Sequence, residues 1–265
     1  MKTRGSEEAG LSETRPLLES RNLTLRFGGL EALNALSFSV PPGQIAAIIG
    51  PNGAGKTSLL NVVSGVYCAG AGDIFFDGVP LNGLKPFQIA ALGIHRTYQQ
   101  IQLFANLTVR ENIMVGMHPL TRSGFLLGML HLPRERREEK RIRDRAEELL
   151  DFFELRGKAD WPATHIPVAE QRRLEMARAL AGDPRLVLLD EPVAGLNIRE
   201  TEAMGDLVLK VKKTGRTVIL VEHNMHLVMG ISDRVIVLRH GSKIAEGRPE
   251  EIQKDSRVIE AYLGK

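Results

Sequence analysis

Cysteine occurs once in the 265 residues, at Cys68. A single cysteine excludes an internal disulfide and any CxxC metal pattern, and it fits a reducing compartment. Long apolar runs are also missing. The segment GFLLGML (Gly124–Leu130) is far too short to span a bilayer. The polar N-terminus, MKTRGSEEAGLSETRP, has no apolar core of the kind a signal peptide carries, and residues 1–16 are expected to form a disordered tail. Internal repeats and low-complexity tracts are absent. One-sided charge is absent too: 35 Lys and Arg face 32 Asp and Glu, a net charge of +3. Arg134–Arg145 (RERREEKRIRDR) holds seven basic and four acidic residues, so the rest of the chain carries 28 of each sign. The excess is one local stretch, which argues against a general nucleic-acid surface. Glu138 with Arg141, and Glu139 with Arg143, sit at helix-pair spacings and predict a self-paired, solvated face.

What is present is ordinary globular composition, 43% apolar and 25% charged, arranged as strands alternating with helices. Leu23, Leu25 and Phe27 alternate with polar neighbours, as do Leu36, Phe38 and Val40, predicting strands near the N-terminus. Ile45–Gly50 is a short apolar run of the kind a buried parallel strand carries. A helix is expected from Lys56 to about Ser64, capped by Gly65. A strand over Asp73–Asp77 ends in an Asp-Gly turn. Residues from about 84 to 182 are expected to be mostly helical. Leu186–Leu189, Thr217–Val221 and Arg234–Leu238 complete a predicted parallel α/β sheet.

Two motifs carry chemistry. Gly50-Pro-Asn-Gly-Ala-Gly-Lys-Thr57 matches GxxxxGK[ST] between a buried strand and a helix. Its glycines let backbone N–H groups turn inward onto phosphate oxygens, and the helix directs its positive end at them. Lys56 then reaches the β- and γ-phosphates, and the Thr57 hydroxyl ligates Mg²⁺. Downstream, Arg185-Leu-Val-Leu-Leu-Asp-Glu-Pro192 reads as a buried strand ending in two acids, Asp190 and Glu191. Asp190 is suited to hold Mg²⁺, directly or through water, and Glu191 to orient or deprotonate the attacking water.

Together, GPNGAGKT, LVLLDEP and Val221-Glu-His-Asn-Met225 resemble the ATP-binding subunit of an ABC transporter over about residues 17–264. RFGGLEAL (Arg26–Leu33), GIHRTYQ (Gly93–Gln99), QRRLEMARAL (Gln171–Leu180), DEPVAGLN (Asp190–Asn197), EHNMHLVMGISDR (Glu222–Arg234) and IEAYLG (Ile259–Gly264) resemble one subgroup. That subgroup is the ATPase subunits of branched-chain, or hydrophobic, amino acid importers. The resemblance implies an ATP contact along Gly50, Pro51, Asn52, Gly53, Ala54, Gly55, Lys56, Thr57 and Ser58. It implies that Phe27 stacks on adenine, where the alternative is a core strand residue. It makes Gln99 the Q-loop glutamine that touches Mg²⁺ or the attacking water, and His223 the histidine that hydrogen-bonds the γ-phosphate. Catalytic roles thus fall to Glu191, His223 and Gln99, and Mg²⁺ contacts to Thr57, Gln99 and Asp190. The other six histidines show no zinc spacing.

The resemblance breaks at one point. Where the family carries a signature such as LSGGQ or LSYGQ before QRRLE, this chain has Ile166-Pro-Val-Ala-Glu170. Pro167 offers neither hydroxyl nor N–H, and Ala169 adds a methyl where backbone must approach closely. In the family this segment grips the nucleotide bound to a partner subunit. One of two composite sites is therefore expected to be weakened, unless the change is tolerated and both sites work.

The expected fold is α/β: a P-loop core of one domain (17–264), an N-terminal antiparallel β portion, and a helical subdomain at about 85–182 facing membrane subunits. The implied ligands are ATP and Mg²⁺. The implied partners are a second ATPase subunit (different or identical), two permeases and, indirectly, a periplasmic binding protein, without nucleic acid. The implied place is peripheral, at the cytoplasmic face of the bacterial inner membrane. Alternatives are another transported substrate (urea, short amides or lipopolysaccharide), a regulatory subunit with little turnover, or an ATPase acting on nucleic acid or ribosomes. The last usually carries a coiled-coil insertion or two ATPase copies, which this chain lacks.

Overall fold

The structure, a computed structural model, describes residues 15–117 and 133–263, with the side chains of 133–138 and 263 excepted. Most of the expected tail, the GFLLGML run and the Glu138–Arg141 pair lie outside these residues.

Two sheets form the frame. The first is antiparallel and has four strands in the order β2-β1-β4-β5. These are β1 (Leu18–Phe27), β2 (Leu30–Val40), β4 (Ala71–Phe76) and the short β5 (Val79–Pro80). The second has six strands in the order β10-β9-β3-β8-β7-β6. They are β3 (Ile45–Ile49), β6 (Ile94–Arg96), β7 (Leu186–Asp190), β8 (Thr217–Val221), β9 (Arg234–Arg239) and β10 (Ser242–Gly247). All pairings in it are parallel except the β9–β10 hairpin.

The continuous apolar strands are explained by burial on both faces. In β7, Leu186 and Leu188 join one apolar cluster while Val187 and Leu189 join another. In β8, Ile219 and Val221 face the first, and Val218 and Leu220 the second. Helix α1 (Lys56–Val63) packs in the first cluster through Leu59, Leu60, Val62 and Val63, together with Leu23, Leu25, Leu36 and Phe38 of the antiparallel sheet. Gly65 takes a left-handed φ of 73° just past the helix and its N–H returns to the Val62 carbonyl, as the sequence predicts for a stop.

The second cluster unites α6 (Ile198–Lys213) with α3 (Val109–Val115), α4 (Pro133–Phe152) and α5 (Val168–Ala181). The last three form the helical subdomain. Three shorter helices, α7 (Met225–Ile231), α8 (Pro249–Ile252) and α9 (Ser256–Leu263), follow the sheet strands, and α2 (Pro86–Ala91) precedes β6. The stretch expected to be helical from about 84 is thus interrupted: β6 pairs with β7 in the main sheet. Only three residues long and with two polar members, it offers too little alternation to be seen beforehand. Within α4, Arg145 pairs with Glu148 at 2.8 Å, whereas the expected Glu139–Arg143 pair is not formed. Among the described residues no helix is long and apolar enough to cross a membrane.

Candidate functional site

The carboxyl ends of β3, β8 and β7, neighbours in the sheet, converge on one edge. That edge is where open α/β sheets bind ligands. The loop after β3 is Gly50–Gly55, and close backbone neighbours dictate two of its glycines. A Cβ on Gly55 (φ 100°) would lie 2.5 Å from the Ala32 carbonyl oxygen, and one on Gly50 would lie 2.2 Å from that of Leu238. Lys56, buried at the start of α1, donates from Nζ to the carbonyls of Gly50 (2.7 Å) and Pro51 (3.1 Å). Burial holds its pKa below the usual lysine value, while the charges of Glu191 and Asp190 pull the other way. Thr57 is exposed beside it and Ser58 is half-buried.

Asp190 closes β7 and is buried. Its Oδ2 accepts from Arg96 Nη2 at 2.9 Å. Burial still pushes its carboxyl above the usual range, outweighing the pull of Arg96. Glu191 follows with a left-handed φ of 48°, a conformation that is costly for a non-glycine residue. Its N–H donates to the Val221 carbonyl at 2.9 Å, which fixes the turn. The side chain is thereby thrown out over the sheet edge. Gln99 Nε2 donates to Glu191 Oε2 at 2.9 Å, and His223 Nδ1 lies 3.9 Å from the same oxygen. Residues 99, 191 and 223, proposed from separate motifs, meet at one carboxylate.

Phe27 is 45% exposed, so the core-residue alternative falls. Its ring meets Tyr67 edge-on, with centroids 5.1 Å apart, at the mouth of the antiparallel sheet. Tyr67 had no signal beyond being aromatic two residues after Gly65.

The oxygen donors fit Mg²⁺. Thr57 offers a hydroxyl, Asp190 a carboxylate oxygen not engaged by Arg96, and Gln99 a carbonyl oxygen whose amide nitrogen is already committed to Glu191. A hard cation that keeps several waters and binds nucleotide phosphates needs such a sparse set. Accordingly, no cluster of three or more His, Cys, Asp or Glu side chains suited to a metal exists among the described residues.

The Ile166–Glu170 segment opens α5. Pro167 is its N-cap and supplies no side-chain hydrogen bond. The negative charge of Glu170 is not loose: Lys158 Nζ binds both carboxylate oxygens at 2.6 Å. Behind it, α5 holds the Gln99 loop. Arg172 donates to the carbonyls of Tyr98 (3.2 Å) and Gln99 (2.7 Å), and Glu175 accepts from the Gln102 N–H at 2.8 Å.

Sequence reasoning missed Arg96, Lys158, Arg172, Glu175 and Glu222. Glu222 is fully buried, and its carboxylate accepts from the N–H groups of Val193 (3.1 Å), His223 (3.0 Å) and Asn224 (3.2 Å). Its sequence signals were a charged residue directly after an almost wholly apolar strand and its place in the family-like Val221–Met225 motif.

Comparison with known proteins places these features in a family. The family model described as "ABC transporter" matches residues 33–194, and one described as "Branched-chain amino acid ATP-binding cassette transporter" matches residues 242–265. The chain is 41% identical over 252 residues to the high-affinity branched-chain amino acid transport ATP-binding protein LivG of Escherichia coli K12, covering 95% of this chain and 99% of that one. It matches BraF of Pseudomonas aeruginosa, which carries the same description, with the same identity and coverage. Among solved structures, the ADP conformation of MJ1267, an ATP-binding cassette of an ABC transporter, superposes with a TM-score of 0.83 at 30% identity, covering 95% of this chain and 100% of that one. A dimeric post-hydrolysis state of MJ0796 bound to ADP and Pi superposes with a TM-score of 0.73 at 25% identity, covering 88% and 98%.

Proposed function

Because this chain belongs to the ABC transporter ATP-binding family, we propose that it energises an importer of branched-chain amino acids by hydrolysing ATP at the edge formed by β3, β7 and β8. The observation that carries the reading is the meeting of Gln99 and His223 on the Glu191 carboxylate, beside the phosphate-binding loop.

ATP binds with its phosphates along Gly50–Ser58 and its adenine against Phe27. Lys56 exchanges its two carbonyl partners for phosphate oxygens. Thr57, Asp190 and Gln99 would hold Mg²⁺, which when bound would neutralise phosphate charge. Glu191 orients the attacking water and accepts its proton. Gln99 fixes the Glu191 carboxylate through its amide, and His223 donates toward the γ-phosphate.

The relatives' described substrate supports the choice of cargo, and the match over residues 242–265 supports the subgroup. The chain works with a second ATPase subunit and two permeases at the cytoplasmic face of the bacterial inner membrane, with a periplasmic binding protein delivering the amino acid. The groove walled by Phe87, Tyr98, Phe104 and Val115, about 770 Å³, suits the permease contact because it runs beside Gln99. A partner's signature completes the site on this chain's loop. The partner's loop faces Ile166–Glu170 and hydrolyses weakly.

Glu191→Gln in the assembled transporter is expected to lower ATP turnover by about 10²–10⁴-fold, the scale of a lost general base, with ATP binding retained. The equivalent substitution in the partner is expected to cost far less. Equal losses from the two substitutions would refute the asymmetry, and full activity of Glu191→Gln would refute the site.

A further inference from the structure

Arg96 is a buried side chain near the site with three side-chain hydrogen bonds, and no motif assigned it a role. Its side chain is 5% exposed. One arm, Nη1, donates to Asn61 Oδ1 at 2.7 Å and to Ser64 Oγ at 3.1 Å; the other, Nη2, donates to Asp190 Oδ2 at 2.9 Å. The guanidinium carbon Cζ lies over the Tyr98 ring, 4.9 Å from its centroid. Arg96 therefore touches three separately positioned parts. These are the helix behind the phosphate loop, the acid that closes β7, and the residue next to Gln99.

We infer that Arg96 is a positioning residue for the ATPase reaction, holding Asp190 and the Gln99 loop in register with α1 so that Thr57, Asp190 and Gln99 present their oxygens together. The chemistry favours arginine specifically. A planar fork serves two acceptor directions and offers a face for stacking, whereas an ammonium is a point charge on a flexible stem and cannot do all three. The contact to α1 falls at Asn61 and Ser64, one and two turns beyond Thr57, so the strut bears on the helix body and leaves the phosphate end clear. The single oxygen it takes from Asp190 leaves the other for the cation. Loss of a partner that orients a metal ligand commonly costs about 10–100-fold in metal affinity.

The inference rests on the ATP-site reading and is tested by nucleotide binding. With the full-length chain, affinity for a non-hydrolysable fluorescent ATP analogue is measured in EDTA and across a Mg²⁺ titration. Arg96→Gln is expected to leave the EDTA affinity within about twofold of wild type and to raise the Mg²⁺ concentration for half-maximal tightening about tenfold. Arg96→Lys is expected to fall between the two. The double variant Asn61→Ala, Ser64→Ala keeps the Arg96–Asp190 charges intact and is expected to raise the Mg²⁺ requirement a few-fold. An unchanged Mg²⁺ requirement in Arg96→Gln overturns the inference; if that variant does not fold, an unchanged requirement in the double variant overturns it instead. Wild-type protein that binds the analogue no better with Mg²⁺ than without would instead overturn the ATP-site reading on which the inference stands.

Discussion

Glu222 illustrates how a residue away from the reacting atoms controls one beside them. Its buried carboxylate collects three backbone N–H donors, among them that of His223, and so fixes the turn from which the histidine reaches Glu191. Glu222→Gln replaces one acceptor oxygen with an NH₂ group facing N–H donors. The expected cost is about 1–3 kcal/mol in denaturant unfolding, with slower hydrolysis. Glu175 gives a pH test. Burial raises its carboxyl above the ordinary value of 4.5, so between these two values the folded chain binds the proton that the unfolded chain has released. This acid's contribution to stability therefore improves as pH falls through the raised value and is complete below 4.5. The stability gap between wild type and Glu175→Gln is expected to shift toward wild type as pH is lowered from 7 toward 4.5, read by thermal unfolding. A gap independent of pH would refute it.

Among the elements, α5 carries the proposed asymmetry, and its N-terminus is a place for anions by helix geometry. Pro167 offers no hydroxyl there, Ala169 presents a methyl, and Lys158 answers the acid at Glu170. Pro167→Ser with Ala169→Gly is expected to raise turnover at the partner's site by about tenfold or more, since one preorganised donor is commonly worth about 10²–10³ in rate. Measured in a complex whose site on this chain carries Glu191→Gln, unchanged turnover would show that the segment does not limit the reaction. What the sequence disclosed about such elements follows physical range. The β3–loop–α1 unit and the β7 acid pair were legible because hydrophobic run, glycine spacing and terminal residues are all local. Gln99 and His223 were legible only through family resemblance. Arg96 with Asp190 and Arg172 with Gln99 join residues 94 and 73 positions apart, and no periodicity encodes such contacts. The strand β6 was hidden by brevity, because its identity comes from pairing with β7 and not from its own pattern.

At the scale of the molecule, the helical subdomain and the main sheet share one apolar cluster, and the exposed groove between α2, α3 and α5 opens beside Gln99. Phe87 stands there 69% exposed. Phe87→Asp is expected to reduce recovery of the permeases in affinity purification from detergent-solubilised membranes while leaving the melting temperature within a degree or so, because an exposed side chain contributes little to folding. Undiminished recovery would move the permease contact elsewhere. The helix behind the phosphate loop has a different reach. Packed between the antiparallel and the parallel sheets, α1 couples both to whatever occupies its N-terminus. Nucleotide thus acts as a chaperoning ligand for the whole chain. At a hundredfold excess over its dissociation constant, a nucleotide that binds only the folded chain adds about 2.7 kcal/mol to global stability, and that gain reaches both sheets through the helix they share.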